Sequence, residues 1–85
     1  MESVVTNPDL PSAAEYAALG NALKALRKRI GLTQVQAGEL VGVRSTFVSQ
    51  IERGERGMRW HTLLAFLRAY HADLRTLGEA IDRSP

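Results

Sequence analysis

The sequence predicts an all-α domain built from five short helices. Apolar residues recur at every third or fourth position along most of the chain, which is the spacing that places them on one helix face. No pair of alternating apolar runs joined by a tight turn indicates a β-hairpin. The chain has 85 residues, of which 45% are hydrophobic, 24% are charged and none is cysteine, as expected for one globular domain held by packing without disulfides.

The first helix follows a short arm. Residues 1–11 contain two prolines and no periodicity and are predicted to be flexible. Ser12 and Glu15 have the spacing of a capping box, so the helix is expected to begin at Ser12. Gly20 should weaken this helix by about 1 kcal/mol relative to alanine, and Gly31 should end it in a left-handed conformation. Its apolar face consists of Tyr16, Leu19, Leu23, Leu26 and Ile30.

Two shorter helices separated by a turn come next. Thr33 and Gln36 form a second capping box, which predicts a helix over about 33–40. Residues 41–43 are Val-Gly-Val, a tight turn in which the glycine can take a positive φ, and another helix is predicted over about 44–53. Helix, glycine-containing turn and helix together have the outline of a helix-turn-helix unit.

Two apolar helices complete the predicted domain. After a polar loop with two glycines at 53–57, the helical period returns from about residue 60. The fourth helix contains Trp60, Leu63, Leu64, Phe66, Leu67 and Tyr70, and a shorter fifth helix contains Leu74, Leu77 and Ile81. The domain is therefore predicted to span residues 12–82, followed by a tail at 83–85.

Positive charge is concentrated in the middle of the sequence. Residues 24–59 contain eight Lys or Arg against three acids, an excess of five, whereas residues 1–20 contain three acids and no basic residue. Nine of the eleven basic residues are Arg, whose planar guanidinium group pairs well with phosphate or guanine. This distribution favours a surface that faces a polyanion, and the alternative is an ordinary solvated face.

The segments that resemble a known family lie in and around the predicted helix-turn-helix unit. They are the runs GLTQ, GV and VSQIERG, which begin at Gly31, Gly42 and Val48, and the later Thr62-Leu63-Leu64. Their spacing is similar to that of the Cro/cI-type (XRE-like) transcriptional regulators, and the resemblance extends without a gap from about Leu19 to Leu74. It implies a five-helix lambda-repressor-like domain with the helix-turn-helix at about 33–53 and double-stranded DNA as the partner.

The resemblance assigns DNA contacts to eight residues. It places Arg44, Ser45, Thr46 and Gln50 at base-reading positions of the recognition helix, and Gln34, Arg53, Arg56 and Arg59 near the DNA backbone. Thr46 and Gln50 share a helix face, so both could reach neighbouring base pairs, and Gln50 suits adenine as Arg44 suits guanine. The alternatives are a helix cap at Ser45 or Thr46, an ordinary first helical residue at Gln34, and solvated loop arginines.

Two further positions of the family are expected to be structural. Its members pair the residues at Arg27 and Glu52 in a partly buried ion pair that orients the recognition helix, so neither is assigned to DNA contact. The sequence departs from the family pattern at Arg44, where a capping Ser or Thr is usual. It also departs at Gly38, which should allow a close approach of the following helix at a cost in helix stability.

A dimeric regulator is the predicted function. One recognition helix covers too few base pairs for a useful site, so two copies are expected to bind inverted half-sites about 10 base pairs apart, as a repressor. In the family the C-terminal helices form the dimer interface, here Tyr70, Leu74, Leu77 and Ile81, unless these side chains close the core of one chain instead. The alternative function is an antitoxin or adaptor that binds a toxin or the transcription machinery as well as promoter DNA.

Several other classes of protein are not expected. His61 and His71 have no glutamate four residues away and no metal-binding spacing, so no enzyme, metal site or cofactor is predicted. No run approaches the roughly 18 apolar residues of a membrane span. The acidic N-terminus lacks the basic and apolar segments of a secretory signal. A cytoplasmic protein without a membrane partner is therefore expected.

Overall fold

The computed structural model describes residues 13–83 and contains over that range five α-helices and no β-strand. The helices are α1 (Ala13–Arg29), α2 (Gln34–Val41), α3 (Ser45–Glu52), α4 (Trp60–Ala69) and α5 (Leu74–Arg83). The predicted all-α class and the order of five helices are confirmed. The predicted N-terminal arm and the capping role of Ser12 lie outside the described residues. Within 13–83, no helix is both long enough and apolar enough to cross a lipid bilayer.

Apolar residues from all five helices meet in one core. α1 packs against α3 and α5, and α2 packs against α3 and α4. The buried apolar side chains are Ala22, Leu23 and Leu26 of α1, Ala37 of α2, Val48 and Ile51 of α3, Phe66 and Leu67 of α4, Tyr70 just after α4, and Leu77 of α5. Helices this short are marginal in isolation, so burial of one apolar face per helix is what stabilises them.

Two of the residues expected at a dimer interface belong instead to this core. Tyr70 is 0% exposed and Leu77 is 5% exposed, so both close the core of a single chain, and the expectation that they contact a second copy is wrong. Burial also raises the pKa of the Tyr70 hydroxyl, which has no hydrogen-bond partner among residues 13–83. Leu74 is 50% exposed, and Ile81 is partly buried against the core.

The helix ends follow local signals in the sequence. The Thr33 hydroxyl accepts from the Gln36 backbone amide at 3.0 Å, and the Gln36 side chain accepts from the Thr33 amide at 2.9 Å, which confirms the predicted capping box. Gly31 ends α1 with φ 80°. α4 ends in the same way at His71, the only non-glycine residue within 13–83 that has a positive φ, 55°. His71 therefore adopts a conformation that favours glycine.

Gly20 and Gly38 allow close backbone contacts at the two ends of α3. A Cβ atom at Gly20 would collide with the carbonyl oxygens of Ile51 and Glu52, the second of them at 2.8 Å. A Cβ atom at Gly38 would lie 2.5 Å from the carbonyl oxygen of Val43, in the turn before α3. The backbone nitrogen of Ser45, the first residue of α3, would lie 3.4 Å from the same Cβ atom, so Gly38 allows the close approach of the third helix that the sequence predicted, at its N-terminal end.

Candidate nucleic-acid interface

The helix-turn-helix unit consists of α2, a turn at residues 42–44 and α3. Gly42 ends α2 with φ 88°, and the amides of Gly42 and Val43 both donate to the Gly38 carbonyl, at 2.7 and 2.9 Å. Arg44 is the N-cap of α3 and has an extended backbone, and within the described chain its side chain makes no capping hydrogen bond. Ser45 is the first residue of the helix, so the alternative in which Ser45 or Thr46 is the cap is wrong.

A buried ion pair fixes the end of α3 against α1. Arg27 donates from Nε to Glu52 Oε2 at 2.6 Å and from Nη2 to Oε1 at 3.0 Å. Its Nη1 donates to the Leu32 carbonyl at 2.7 Å. Arg27 is 7% and Glu52 is 6% exposed, and the hydrogen bond to Glu52 raises the pKa of Arg27 against the opposing effect of burial. The structural ion pair that the family resemblance implied is confirmed.

Gln34 extends this ion pair to α2. Its Nε2 donates to Glu52 Oε1 at 3.0 Å, so the first residue of α2 and the last residue of α3 are joined directly. Glu52 thereby accepts hydrogen bonds from two different helices at one carboxylate. The orientation of α3 relative to α2 is set by directional contacts as well as by apolar packing.

The solvent-facing side of this unit is basic. Of the eight residues expected at DNA, the exposed ones are Arg44, Thr46, Arg53, Arg56 and Arg59, and the partly buried ones are Gln34, Ser45 and Gln50. Between residues 44 and 59 the exposed charges are four arginines and one acid, Glu55. The structure therefore presents an excess of positive charge along α3 and the segment that follows it, which is the electrostatic requirement for a polyanion partner.

Arg53 is tied to neighbouring side chains. Its Nη1 donates to the Ser49 hydroxyl oxygen at 2.6 Å, and its Nε and Nη2 donate to the two carboxylate oxygens of Glu55 at 2.8 and 3.0 Å. Hydrogen bonding and charge attraction raise the pKa of Arg53 and lower the pKa of Glu55. Because the two side chains are 58% and 51% exposed, solvent screens their attraction, and a phosphate group can compete with Glu55 for the guanidinium group.

Arg56 connects the end of the unit to the middle of α3. Its Nη1 donates to Gln50 Oε1 at 3.2 Å, and its guanidinium carbon lies 4.3 Å from the centre of the Phe47 ring. The Phe47 ring stacks in turn on Phe66, which is buried in the core, with the ring centres 6.5 Å apart and the ring planes 8° from parallel. An exposed arginine is thus held against an aromatic ring that the core supports.

Phe47 and Glu55 are parts of this surface that the sequence did not predict. Phe47 lies four residues before Ile51, at the edge of the apolar face of α3, and this spacing was the available signal for it. Glu55 lies two residues after Arg53 and carries the opposite charge. Neither spacing identifies a contact by itself, because both contacts depend on how the chain continues after α3.

A short helix braced by a neighbour and bordered by exposed arginines defines a helix-turn-helix DNA-binding domain. A family model described as a helix-turn-helix domain matches residues 18–80. The chain belongs to the helix-turn-helix family, and it is a Cro/cI-like, XRE-type DNA-binding transcription regulator.

Three solved structures illustrate the similarity. The restriction-modification controller protein C.AhdI from Aeromonas hydrophila is 30% identical with a TM-score of 0.72, over 75% of this chain and 97% of that one. The clp gene regulator ClgR from C. glutamicum is 27% identical with a TM-score of 0.75, over 89% and 96%. A transcriptional regulator from Vibrio cholerae is 29% identical with a TM-score of 0.72, over 80% and 39%. No curated protein sequence matches the chain.

Proposed function

We propose that two copies of this chain bind an inverted repeat in double-stranded DNA, with α3 of each copy in the major groove, and repress the transcription that starts there. The observation that carries the proposal is the way α3 is held. Its last residue, Glu52, is fixed by Arg27 and Gln34, while the exposed Arg44 and Thr46 lie at its N-cap and in its first turn. A recognition helix needs this combination of a rigid support and an accessible polar face.

The proposed base contacts come from the start and middle of α3. Arg44 precedes the first turn and is exposed, so its guanidinium group can pair with the two acceptors of guanine. Ser45 and Thr46 follow it and offer hydroxyl groups, and the Thr46 methyl group suits the methyl group of thymine. Gln50 lies four residues after Thr46 on the same helix face, so we assign it to a neighbouring base pair.

The proposed backbone contacts surround this face. Arg53, Arg56 and Arg59 lie in and beside the segment between α3 and α4, and Gln34 begins α2. Each can donate to a phosphate oxygen, which positions the domain on the duplex without reading its sequence. Because Gln34 Nε2 already donates to Glu52, its second N–H remains for a phosphate, and one residue would link the DNA backbone to the support of α3.

The proposed dimer contact lies at the junction of α4 and α5. Leu74 is 50% exposed and lines a groove with Leu64, Leu67 and Ala72. Ile81 is only partly buried on the same helix as Leu74. A twofold pairing through Leu74 would cover apolar surface that a single chain leaves in water. Dimer formation is tested by sedimentation of the Leu74→Lys variant, with Leu40→Lys as the matched control, because Leu40 is equally apolar and 62% exposed on α2.

The test of DNA recognition is selection of random duplexes by the purified protein. We expect enrichment of an inverted repeat with half-site centres about 10 base pairs apart. If the protein retains DNA weakly, loses it as the salt concentration rises and enriches no sequence, sequence-specific binding is contradicted. That result would favour an antitoxin or adaptor that needs a protein partner. A regulator must also reach the DNA, so a cytoplasmic location remains part of the proposal.

A further inference from the structure

Gln50, the base-reading residue nearest the end of α3, is already engaged by another side chain. Its amide oxygen accepts a hydrogen bond from Arg56 Nη1 at 3.2 Å. Arg56 lies six residues further along the chain, beyond the end of α3, so the contact depends on the course of the loop and not on the helix. The two residues are better described as one recognition unit than as a base reader and a separate phosphate contact.

Arg56 is held in this position from the opposite side. Its guanidinium group lies over the Phe47 ring, with 4.3 Å between the guanidinium carbon and the ring centre. Phe47 stacks on the buried Phe66, so the ring cannot swing away without disturbing the core. Stacking restricts a long, exposed side chain that would otherwise sample many rotamers. Arg56 is therefore in place to orient Gln50 before DNA binds.

This arrangement changes which base Gln50 can read. A free glutamine amide reads adenine by accepting from the N6 amino group and donating to N7. Here one of the two lone pairs of the Gln50 amide oxygen already accepts from the cationic Arg56, so an adenine amino group would have to share that oxygen with a positively charged donor. The amide N–H groups of Gln50 and the remaining N–H groups of Arg56 are all donors. Two acceptors, N7 and O6, are what the major-groove edge of guanine presents.

We infer that Arg56 is a specificity-determining residue, which positions Gln50 so that the pair reads guanine rather than adenine. The inference rests on the proposed function and revises the adenine expected for Gln50 from the sequence. Arg56 acts by orienting Gln50 and by adding its own N–H donors beside it, and its loss should change the preferred base rather than only the strength of binding.

The experiment compares base preferences in random duplexes selected by four proteins: the original chain, Gln50→Ala, Arg56→Met and Arg59→Met. Gln50→Ala identifies the base pair that Gln50 faces, because the preference there should disappear. Arg56→Met removes the donors but keeps an unbranched side chain over Phe47, and we expect it to shift the preference at that position from guanine toward adenine by about tenfold. Arg59→Met loses the same charge from an exposed site and should weaken binding with the preference unchanged.

Each other outcome overturns the inference in a distinguishable way. If Arg56→Met weakens every duplex but retains guanine, Arg56 is a phosphate contact only. If the original chain selects adenine at the Gln50 position, the inference fails and the proposed function stands. If the original chain enriches no sequence, the proposed function fails and the inference fails with it. Circular dichroism and thermal melting of all four proteins would show that the variants remain folded.

Discussion

The region that contains α1 to α3 and the region that contains α4 and α5 share one core but are held by different interactions. In the first region, Arg27 and Glu52 form a buried ion pair, and Gly20 lets the backbone of α1 touch the end of α3. In the second region, α5 contributes one buried side chain, Leu77, and leaves Leu74 half exposed. Directional contacts fix the helix that we propose to enter the major groove, whereas apolar packing leaves a surface on which a second chain could pack.

One helix of each region, α3 and α5, shows the contrast at its N-cap. Asp73 caps α5: its side-chain Oδ1 accepts from the Thr76 amide and from the Thr76 hydroxyl, both at 2.8 Å, and these hydrogen bonds lower the pKa of Asp73. Arg44 occupies the same position at α3 and, within residues 13–83, makes no side-chain cap. The recognition helix gives up a local stabilising contact at the position proposed to read a base, and its support comes from the opposite end.

The largest expected effect is the loss of the buried ion pair. Glu52→Ala leaves Arg27 buried without a carboxylate partner and removes the acceptor of Gln34, so we expect the free energy of unfolding to fall by about 3–5 kcal/mol. Urea unfolding measures this change. Glu55→Ala is the matched control, because Glu55 forms an exposed pair with Arg53 that solvent screens. If the two variants lost the same free energy of unfolding, the buried pair at Glu52 would be no more important for stability than the exposed pair at Glu55.

The second effect concerns the backbone contact at Gly20. Gly20→Ala places a methyl group against the carbonyl oxygens of Ile51 and Glu52, and we expect a loss of about 1–3 kcal/mol despite the higher helix propensity of alanine. Gly78→Ala in α5 meets nothing within 4 Å and should stabilise the chain by about 0.5–1 kcal/mol. Thermal or urea unfolding measures the change in the free energy of unfolding. This change should be negative for Gly20→Ala and positive for Gly78→Ala if the close contact is confined to the first region.

The third effect is a gain in stability at Arg44, the residue proposed to read a base. Arg44→Ser supplies a side chain that can cap α3, and we expect the free energy of unfolding to rise by about 1 kcal/mol. The same substitution removes the guanidinium group proposed to read guanine, so preference at one base pair per half-site should be lost. Urea unfolding and duplex selection on one variant test both parts, and a variant that loses stability would show that Arg44 supports α3 in another way.

The smallest effect is expected at the end of α4. His71 has φ 55°, where a non-glycine residue is strained by about 1–2 kcal/mol, and Gly31 occupies the equivalent position at the end of α1. His71→Gly relieves this strain but increases the entropy of the unfolded chain, so we expect a net gain of about 0.5 kcal/mol. Differential scanning calorimetry can resolve the resulting rise in melting temperature. Gly31→Ala is the comparison variant, and it should lose stability because it introduces the same strain at the end of α1.

Much of the fold could be predicted from local sequence because its determinants are local. The capping box at Thr33 and Gln36 and the left-handed end at Gly31 depend on residues within one helical turn, and both are found as predicted. The ion pair of Arg27 and Glu52 is distant along the chain, and only the resemblance to a known family predicted it.

The side-chain partners of the candidate site could not be predicted in the same way. Arg56 is six residues from Gln50, with a loop between them, so no helical spacing relates the two residues. A composition that favours a basic surface does not say that Glu55 neutralises part of the charge of Arg53. These contacts depend on the path of the chain after α3, which packing decides.

The sequence by itself determined the five helices, the position of the helix-turn-helix unit and the basic character of its surroundings. These features follow from periodicity, capping residues and charge, which are properties of neighbouring residues. Only the tertiary structure decided that Tyr70 and Leu77 close the core while Leu74 stays in water. It also decided that Gly20 lets α1 contact the end of α3, and does more than lower the stability of its own helix. The physical reason is that burial and close approach depend on which distant surface meets a residue, and amino-acid type and local spacing do not carry that information.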